Sequence, residues 1–191
     1  AEAWNKIEHR LPATVVSFLQ QFKNLTEYSV LKDEFEFIKN YKSAWASAPY
    51  APTFVTVDAA VIQSGHILLV RRRSAPGKGL WALPGGFLNQ NERVLTGAIR
   101  ELLEETRISL GVGKNAKKIT ADILRGSVAG FQVFDDPNRS LRGRTITNTF
   151  LFRLDDTKDL PTVKGDDDVD IAEWIPLAVA LGDPSMYFED H

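Results

Sequence analysis

The hydrophobic positions of the chain change their period near residue 50, and this change predicts two kinds of structure. In residues 1–48 the apolar side chains recur every three or four positions, which is the spacing of one face of a helix. A first face carries Val15, Phe18, Leu19 and Phe22, and a second carries Leu31, Phe35, Ile38 and Trp45. We therefore predict a pair of helices, the first with Pro12 at its first position, and we interpret their apolar faces as packing or interface surfaces.

Beyond residues 49–52, where two prolines predict a short stiff linker, the pattern becomes typical of β-strands. Apolar side chains alternate with their neighbours in residues 54–62, and residues 66–72 follow as the hairpin partner of that strand. Further strands are predicted at residues 119–128, 145–154 and 171–175. One strong helix among so many strands indicates an α/β fold, with a mixed sheet and helices on its faces.

Composition narrows the class of protein. The chain has 191 residues, of which 43% are hydrophobic and 25% are charged, as in one globular domain with a short appendage. The net charge of −2 argues against a nucleic-acid-binding surface. The absence of cysteine from the sequence excludes disulfides, zinc–thiolate sites and cysteine nucleophiles. No apolar run approaches the roughly 18 residues of a membrane span, and nothing suggests secretion, so we expect a cytoplasmic protein without membrane or nucleic-acid partners.

The clearest chemical signal is a group of three glutamates on the helix predicted after Asn91, its expected N-cap. Because a helix turns about 100° per residue, Glu101, Glu104 and Glu105 share an arc of about 100° on one face. Like charges so close repel each other and destabilise an isolated helix, so their grouping suggests a bound cation. Carboxylate oxygens suit Mg²⁺ or Mn²⁺, and phosphate oxygens complete the coordination of such ions. The alternative is an ordinary solvated acidic face.

The glutamates belong to a longer block of fixed spacing that runs from Gly86 to Ile108. This block resembles the signature of the Nudix hydrolases, G-x5-E-x7-R-E-U-x-E-E-x-G-U, where U is a bulky aliphatic residue. The matching residues are Gly86, Glu92, Arg100, Glu101, Leu102, Glu104, Glu105 and Ile108. Arg107 stands where the signature has a glycine, and a non-glycine residue in the left-handed conformation that ends a helix costs about 1 kcal/mol. The resemblance implies a Nudix α/β/α sandwich with a mixed β-sheet in residues 51–191, after a helical N-terminal segment in residues 1–50.

Four other segments resemble the ADP-ribose pyrophosphatase type of Nudix hydrolase, in particular the C-terminal domain of bifunctional nicotinamide-mononucleotide adenylyltransferase/ADP-ribose pyrophosphatase proteins. They are residues 52–58, 77–87, 140–147 and 165–167. The resemblance implies metal-dependent hydrolysis of ADP-ribose to AMP and ribose 5-phosphate, within NAD metabolism. The N-terminal segment is then a linker or the end of a preceding adenylyltransferase domain, and its apolar faces offer a surface for a homodimer. Two alternatives stay open, namely a Nudix hydrolase of another nucleoside diphosphate derivative and an ADP-ribose-sensing regulator.

The resemblance also implies roles for the residues of the block. Glu101 and Glu105 are expected to bind the metal ion directly, and the carbonyl of Gly85 is expected to add a backbone ligand. Glu104 is expected to be a further ligand or the base that orients water, with an aspartate of residues 166–168 as the alternative base. Arg100 and Glu92 are interpreted as residues that orient these glutamates.

Candidate substrate-binding residues lie outside the block. Arg72 ends a strand shortly before the glycine loop, where its guanidinium can meet a diphosphate. Arg142 and Arg144 belong to the segment that resembles the substrate-binding region of ADP-ribose hydrolases, and a charged hairpin loop is the alternative. Trp81 is a candidate to stack on adenine. The three histidines, His9, His66 and His191, show no metal-ligand spacing and receive no role.

Overall fold

The computed structural model describes residues 11–110, 117–156, 159–166 and 169–191. Its α-helices are Ala13–Phe22 (α1), Thr26–Ala44 (α2), Val94–Thr106 (α3), Ala121–Gly126 (α4) and Leu177–Ala180 (α5), and Pro184–Met186 is a 3₁₀ helix. Its strands are Thr53–Gln63 (β1), His66–Arg72 (β2), Trp81–Ala82 (β3), Gly85–Phe87 (β4), Ser109–Leu110 (β5), Lys117–Lys118 (β6), Val128–Phe134 (β7), Arg144–Arg153 (β8) and Val169–Pro176 (β9).

The main sheet is mixed, and it forks between β1 and β2. These two strands pair only beside their hairpin turn, at Ile62 with Ile67 and at Gln63 with His66. Farther from the turn, β1 pairs with β4 and β2 pairs with β3, so two short strands fill the opening. The remaining edge of β1 runs parallel to β8, and that of β2 runs antiparallel to β9. The loop between β3 and β4 therefore crosses the opening of the fork, from the side of β2 to the side of β1.

Helix α3 packs across the sheet through one apolar face. Ala98, Ile99 and Leu102 are buried together with Val57 and Phe152 of the strands in the main hydrophobic cluster. The opposite side of the same helix carries the glutamates. This arrangement confirms the predicted α/β class and the predicted mixed sheet with helices on its faces.

Most of the predicted strands are confirmed, but one is wrong. The predicted hairpin partner, residues 66–72, is confirmed as β2, and the other strand predictions agree with β1, β8 and β9 within a few residues. The strand predicted at residues 119–128 is instead the short helix α4 followed by β7. The hydroxyl of Thr120 accepts a hydrogen bond from the backbone N–H of Ile123 at 3.4 Å and caps this helix. The β-branched isoleucines of this segment suggest a strand, but the cap and the burial of Leu124 favour the helix.

The predicted helical pair is confirmed in α1 and α2, although only Ile38 and Trp45 of the predicted face of α2 are packed. Leu31 and Phe35 are 59% and 64% exposed, whereas Phe37 and Tyr41 are half-buried against the rest of the chain. Pro12 is the N-cap of α1 and not its first helical residue. Hydrophobicity alone did not identify the packed face, because no side chain of α2 is fully buried.

Both ends of α3 differ in detail from the expectation. The helix begins at Val94 with Arg93 as its N-cap, so the predicted N-cap at Asn91 is wrong. Glu92 lies before the helix, where its carboxylate accepts a hydrogen bond from the backbone N–H of Asn89 at 2.8 Å. At the other end, Arg107 adopts the left-handed conformation with φ of 43°, which the signature normally gives to glycine. The guanidinium of Arg107 pairs with the carboxylate of Asp166, which offsets part of this backbone strain.

A transmembrane helix needs both length and sustained apolar character. None of the helices in the described part of the chain combines the two.

Candidate active site

Gly85 and Gly86, the first residues of β4 and the end of the glycine loop (residues 83–86), lie against the glutamates of α3 at the fork of the sheet. Gly85 pairs with Asp58 of β1, and its N–H donates to the Glu105 carboxylate at 3.0 Å. A Cβ atom on Gly85 would lie 2.4 Å from the Val57 carbonyl oxygen, and one on Gly86 would lie 2.6 Å from Oε1 of Glu101. Side chains at these two positions would therefore push the loop away from the helix, which explains the need for glycine.

A cavity of about 440 Å³ opens where the loop meets the helix. Its volume falls within the range of small-molecule sites. The acidic side of the lining consists of Glu101, Glu104 and Glu105. Arg72 and Arg142 supply positive charge to the same cavity. The sequence-predicted glutamates, glycine loop and two of the predicted arginines are thus brought together.

Arg100 holds three of the acidic side chains at once. Its guanidinium donates to Glu92 at 2.7 Å, to Glu101 at 2.8 Å and to Glu104 at 3.0 Å. These hydrogen bonds raise the pKa of Arg100 above its usual value, and the hydrogen bond to Glu92 contributes most. Arg100 therefore fixes the direction of Glu101 and Glu104 in this structure.

Glu105 and Glu101 are carboxylates in an unfavourable electrostatic environment. Burial raises the pKa of Glu105 to about 8, although the hydrogen bond from the Gly85 N–H acts in the opposite direction. Burial also raises the pKa of Glu101, in spite of the nearby Arg100. A cation in the cavity would stabilise the ionised form of both side chains.

The donor chemistry of this cavity fits a hard divalent cation. Glu101, Glu104, Glu105 and the backbone of Gly85 offer oxygen ligands of the kind that Mg²⁺ and Mn²⁺ prefer. Among the described residues, no three acidic or histidine side chains converge as a preformed ligand set. Glu101 and Glu104 each accept a hydrogen bond from Arg100 through one carboxylate oxygen, Oε1 of Glu101 and Oε2 of Glu104.

Three neighbouring arginines at the end of β2, Arg71, Arg72 and Arg73, have different surroundings. Arg72 lines the cavity, and its guanidinium carbon lies 4.1 Å from the centre of the Phe188 ring. Burial, followed by repulsion from Arg142, lowers the pKa of Arg72. Arg71 and Arg73 point elsewhere, since Arg71 donates to the Gly79 carbonyl and Arg73 pairs with Asp170.

A second charged cluster, formed with the last residues of the chain, adjoins the cavity. Arg139 donates to the Asp190 carboxylate at 2.6 Å, and its side chain is only 5% exposed. Arg142 lies 3.6 Å from the carboxylate of Glu189. The ring of His191 accepts a hydrogen bond from the backbone N–H of Leu83 at 3.2 Å. We call these five charged or titratable residues, Arg139, Arg142, Glu189, Asp190 and His191, the C-terminal cluster.

Sequence reasoning missed the acidic half and the histidine of the C-terminal cluster. Asp190 is 51 positions from Arg139, and no local spacing connects the two. The cluster also surrounds Asp58, a residue without an assigned role in the sequence analysis. Burial raises the pKa of Asp58 to about 7, although Arg139 acts in the opposite direction.

Two predicted substrate-binding residues, both within the described part of the chain, are not among those that line the cavity. The guanidinium of Arg144 donates to the backbone carbonyl of Asp135 in the loop before β8. Trp81 lies on β3, where its backbone carbonyl accepts a hydrogen bond from the N–H of Phe188 at 2.8 Å. Asp166, one of the alternative bases, pairs with Arg107, and Asp167 and Asp168 lie outside the described residues.

Comparison with known proteins gives a consistent result. The NUDIX domain family matches residues 52–190. An ADP-ribose pyrophosphatase of Methanocaldococcus jannaschii is 30% identical over 128 residues, which are 67% of this chain and 64% of that protein. An ADPR responsive transcriptional repressor, NtrR, of Acinetobacter baylyi is 36% identical over 84 residues, 41% of this chain and 34% of that protein.

One solved structure is similar over nearly the whole chain. It is a bifunctional NMN adenylyltransferase/ADP ribose pyrophosphatase from Francisella tularensis, crystallised with AMP and a manganese ion. The TM-score is 0.82 and the identity is 41%, over 93% of this chain and 50% of that chain. The chain therefore spans less than two thirds of the length of each of these relatives.

Proposed function

The chain belongs to the NUDIX family, and from this membership we propose that it hydrolyses the diphosphate of ADP-ribose to AMP and ribose 5-phosphate with a divalent metal ion. Membership confirms the resemblance of the block from Gly86 to Ile108 and the predicted Nudix sandwich. Nudix hydrolases generally use divalent metals, and the Francisella relative was crystallised with manganese. Mg²⁺ is our proposed ion for this chain, with Mn²⁺ as the alternative.

The observation that supports the proposal best is the composition of the cavity. Glutamates of α3 and the arginines Arg72 and Arg142 line the same space. A diphosphate is doubly anionic, so it needs positive charge on both sides, from guanidinium groups and from metal ions held by carboxylates. ADP-ribose, as the specific diphosphate, is supported by the relatives in M. jannaschii and F. tularensis.

We propose that Glu101, Glu105 and the Gly85 carbonyl hold the ion. When bound, a divalent ion supplies charge that neutralises the diphosphate and favours deprotonation of the attacking water. Arg72 and Arg142 would orient the phosphate oxygens through forked hydrogen bonds. The water oxygen forms a bond to one phosphorus, the bond from that phosphorus to the bridging oxygen breaks, and each product keeps one phosphate.

Glu104 is our candidate for the residue that takes the proton from the water. Its side chain is 48% exposed, so it can reach a solvent molecule, and Arg100 holds it at the rim of the acidic face. Asp166 is a weaker candidate, because its carboxylate already pairs with Arg107.

The remaining predictions belong to the same proposal. We retain the division into an N-terminal segment of residues 1–50 and a catalytic domain of residues 51–191. The exposed side chains Phe18, Leu31 and Phe35 support the use of the N-terminal helices as the interface of a homodimer.

Glu105→Gln tests the reaction. The substitution keeps the size of the side chain and removes its charge, so we expect AMP release from ADP-ribose with Mg²⁺ to fall by at least about 100-fold, beyond the loss usual for residues that only orient ligands. Glu173→Gln is the matched control, because Glu173 is an exposed glutamate on β9. Turnover of Glu105→Gln at the wild-type rate would refute the assignment.

A substrate panel at fixed Mg²⁺ tests the choice of diphosphate. We expect ADP-ribose to give a higher kcat/KM than a sugar nucleotide, a dinucleotide or a deoxynucleoside triphosphate. Faster hydrolysis of one of these would assign the enzyme to that substrate. Tight binding of ADP-ribose without turnover by the wild-type protein would instead favour a sensing role like that of the Acinetobacter relative.

A further inference from the structure

Helix α2 forms one wall of the cavity that holds the glutamates. Phe37 and Tyr41 line this cavity together with the glycine loop and the acidic face of α3. Their ring centres are 6.0 Å apart and the ring planes differ by 26°, so the two rings form a stacked pair. Both side chains are half-buried and keep part of their surface on the cavity.

The position of α2 is fixed at both ends of this wall. Near its start, the carboxylate of Glu34 accepts a hydrogen bond from the backbone N–H of Gly77 at 2.7 Å. Near its end, the rings of Tyr41 and Trp45 contact Phe54 of β1 at centroid distances of 5.6 and 5.5 Å. One face of α2 carries residues spaced three or four positions apart, namely Glu34, Phe37, Tyr41 and Trp45. The aromatic pair is thus held in place and is not a loose surface patch.

The aromatic pair of Phe37 and Tyr41 is not suited to bind the diphosphate itself. Phosphate groups are bound by charged and polar groups, which the opposite parts of the cavity provide. Flat aromatic faces instead bind other flat rings, and stacking on a nucleobase is their usual role in nucleotide sites. Trp81 was the predicted stacking residue, but it is not among the described residues that line the cavity.

We propose that Phe37 and Tyr41 form the subsite for the purine base, so that α2 places the adenosine end of the substrate. This inference rests on the proposed function, because it concerns recognition within the same site. The NUDIX match begins at residue 52, so the reaction chemistry and the recognition of the base come from different parts of the chain. The N-terminal segment then determines specificity, in addition to any role as a linker or interface.

Two substrates separate base recognition from catalysis. One is ADP-ribose, and the other is a diphosphate that joins two ribose 5-phosphates and lacks a base. For Phe37→Ala, Tyr41→Ala and the double variant, we expect the KM for ADP-ribose to rise by about 10- to 100-fold, the loss typical of a removed stacking contact. We expect kcat for ADP-ribose, and both constants for the base-free substrate, to stay near their wild-type values.

Matched variants and inhibitors complete the test. Phe35→Ala removes a ring of the same helix that is 64% exposed, and it should leave KM unchanged. Tyr41→Phe keeps the ring and should also behave as wild type. Inhibition by AMP should weaken in Phe37→Ala by the same factor as the KM rises, whereas inhibition by ribose 5-phosphate should not change.

Each outcome has one meaning. Equal losses on the two substrates would show that α2 only supports the fold, and an unchanged KM in the double variant would also overturn the subsite. If the wild-type protein hydrolysed neither substrate, the proposed function would fail. Calorimetric binding of AMP to the wild-type and variant proteins would then still decide whether the aromatic pair binds a purine.

Discussion

Two charged clusters border the same cavity, and they are built in opposite ways. The acidic cluster of Glu92, Arg100, Glu101 and Glu104 comes from α3 and the turn before it. The C-terminal cluster combines arginines of the loop before β8 with the last residues of the chain. In the acidic cluster the helical repeat sets the distances, whereas in the C-terminal cluster only the folding of remote segments brings the charges together.

The two clusters also differ in their access to solvent. The side chain of Glu104 is 48% exposed, so part of the acidic cluster is free to exchange a protein partner for an ion or water. The side chain of Arg139 is 5% exposed and donates to both Asp190 and Thr147. A buried guanidinium with its hydrogen bonds satisfied inside the protein contributes mainly to the folded state. We therefore expect the acidic cluster to control turnover, and Arg139, Asp190 and His191 of the C-terminal cluster to control stability.

The largest expected effect is on turnover, in the acidic cluster. Arg100→Lys keeps the positive charge, but an ammonium group cannot replace a fork that holds three carboxylates. We expect kcat for AMP release to fall by about 10- to 100-fold, as for other residues that orient metal ligands. Arg125→Lys, at an exposed ion pair on α4, is the matched control and should retain full activity. Full activity of Arg100→Lys would show that the fork is dispensable.

The next effect is on stability, in the C-terminal cluster. Arg139→Met keeps the apolar stem and removes the hydrogen bonds to Asp190 and Thr147, so we expect the free energy of unfolding to fall by about 2–3 kcal/mol. Urea denaturation measures this change. The control Arg153→Met removes an exposed arginine at the end of β8 and should change stability by less than about 0.5 kcal/mol. Equal changes in the two variants would contradict the division between the clusters.

The smallest expected effect is on the pH dependence of stability, and it involves His191 of the C-terminal cluster. Burial, together with repulsion from Arg139, lowers the pKa of His191 from its usual 6.5 to about 4. The neutral ring therefore stabilises the folded state above pH 6.5, and this contribution is lost as the pH falls from 6.5 toward 4. Because His191 is half-buried, we expect wild type to lose about 1–2 kcal/mol more than His191→Gln over this range. Parallel pH profiles of the two proteins would disprove this assignment.

The features that could be predicted from the sequence are those that local spacing sets, as in the acidic cluster. The hairpin of β1 and β2 and the glutamates of α3 were identified because local periodicity controls them. Arg72 was the predicted substrate-binding arginine of its strand, and the fold places it in the lining of the cavity. On α2, Phe37 and Tyr41 were missed because their contacts with the cavity and with Phe54 come from segments remote in sequence. Helix α4 was missed because Ile119 and Ile123 match a strand equally well.

By itself, the sequence determined how the charged side chains of the acidic face are placed relative to one another. A helix repeats every 3.6 residues, so the order of Arg100, Glu101, Glu104 and Glu105 fixes their relative directions in any fold that keeps the helix. Only the tertiary structure decided what faces these side chains. The fork between β1 and β2 brings Gly85 to Glu105, and α2 brings the aromatic pair to the cavity. Such contacts depend on the packing of remote segments, which no spacing along the chain encodes.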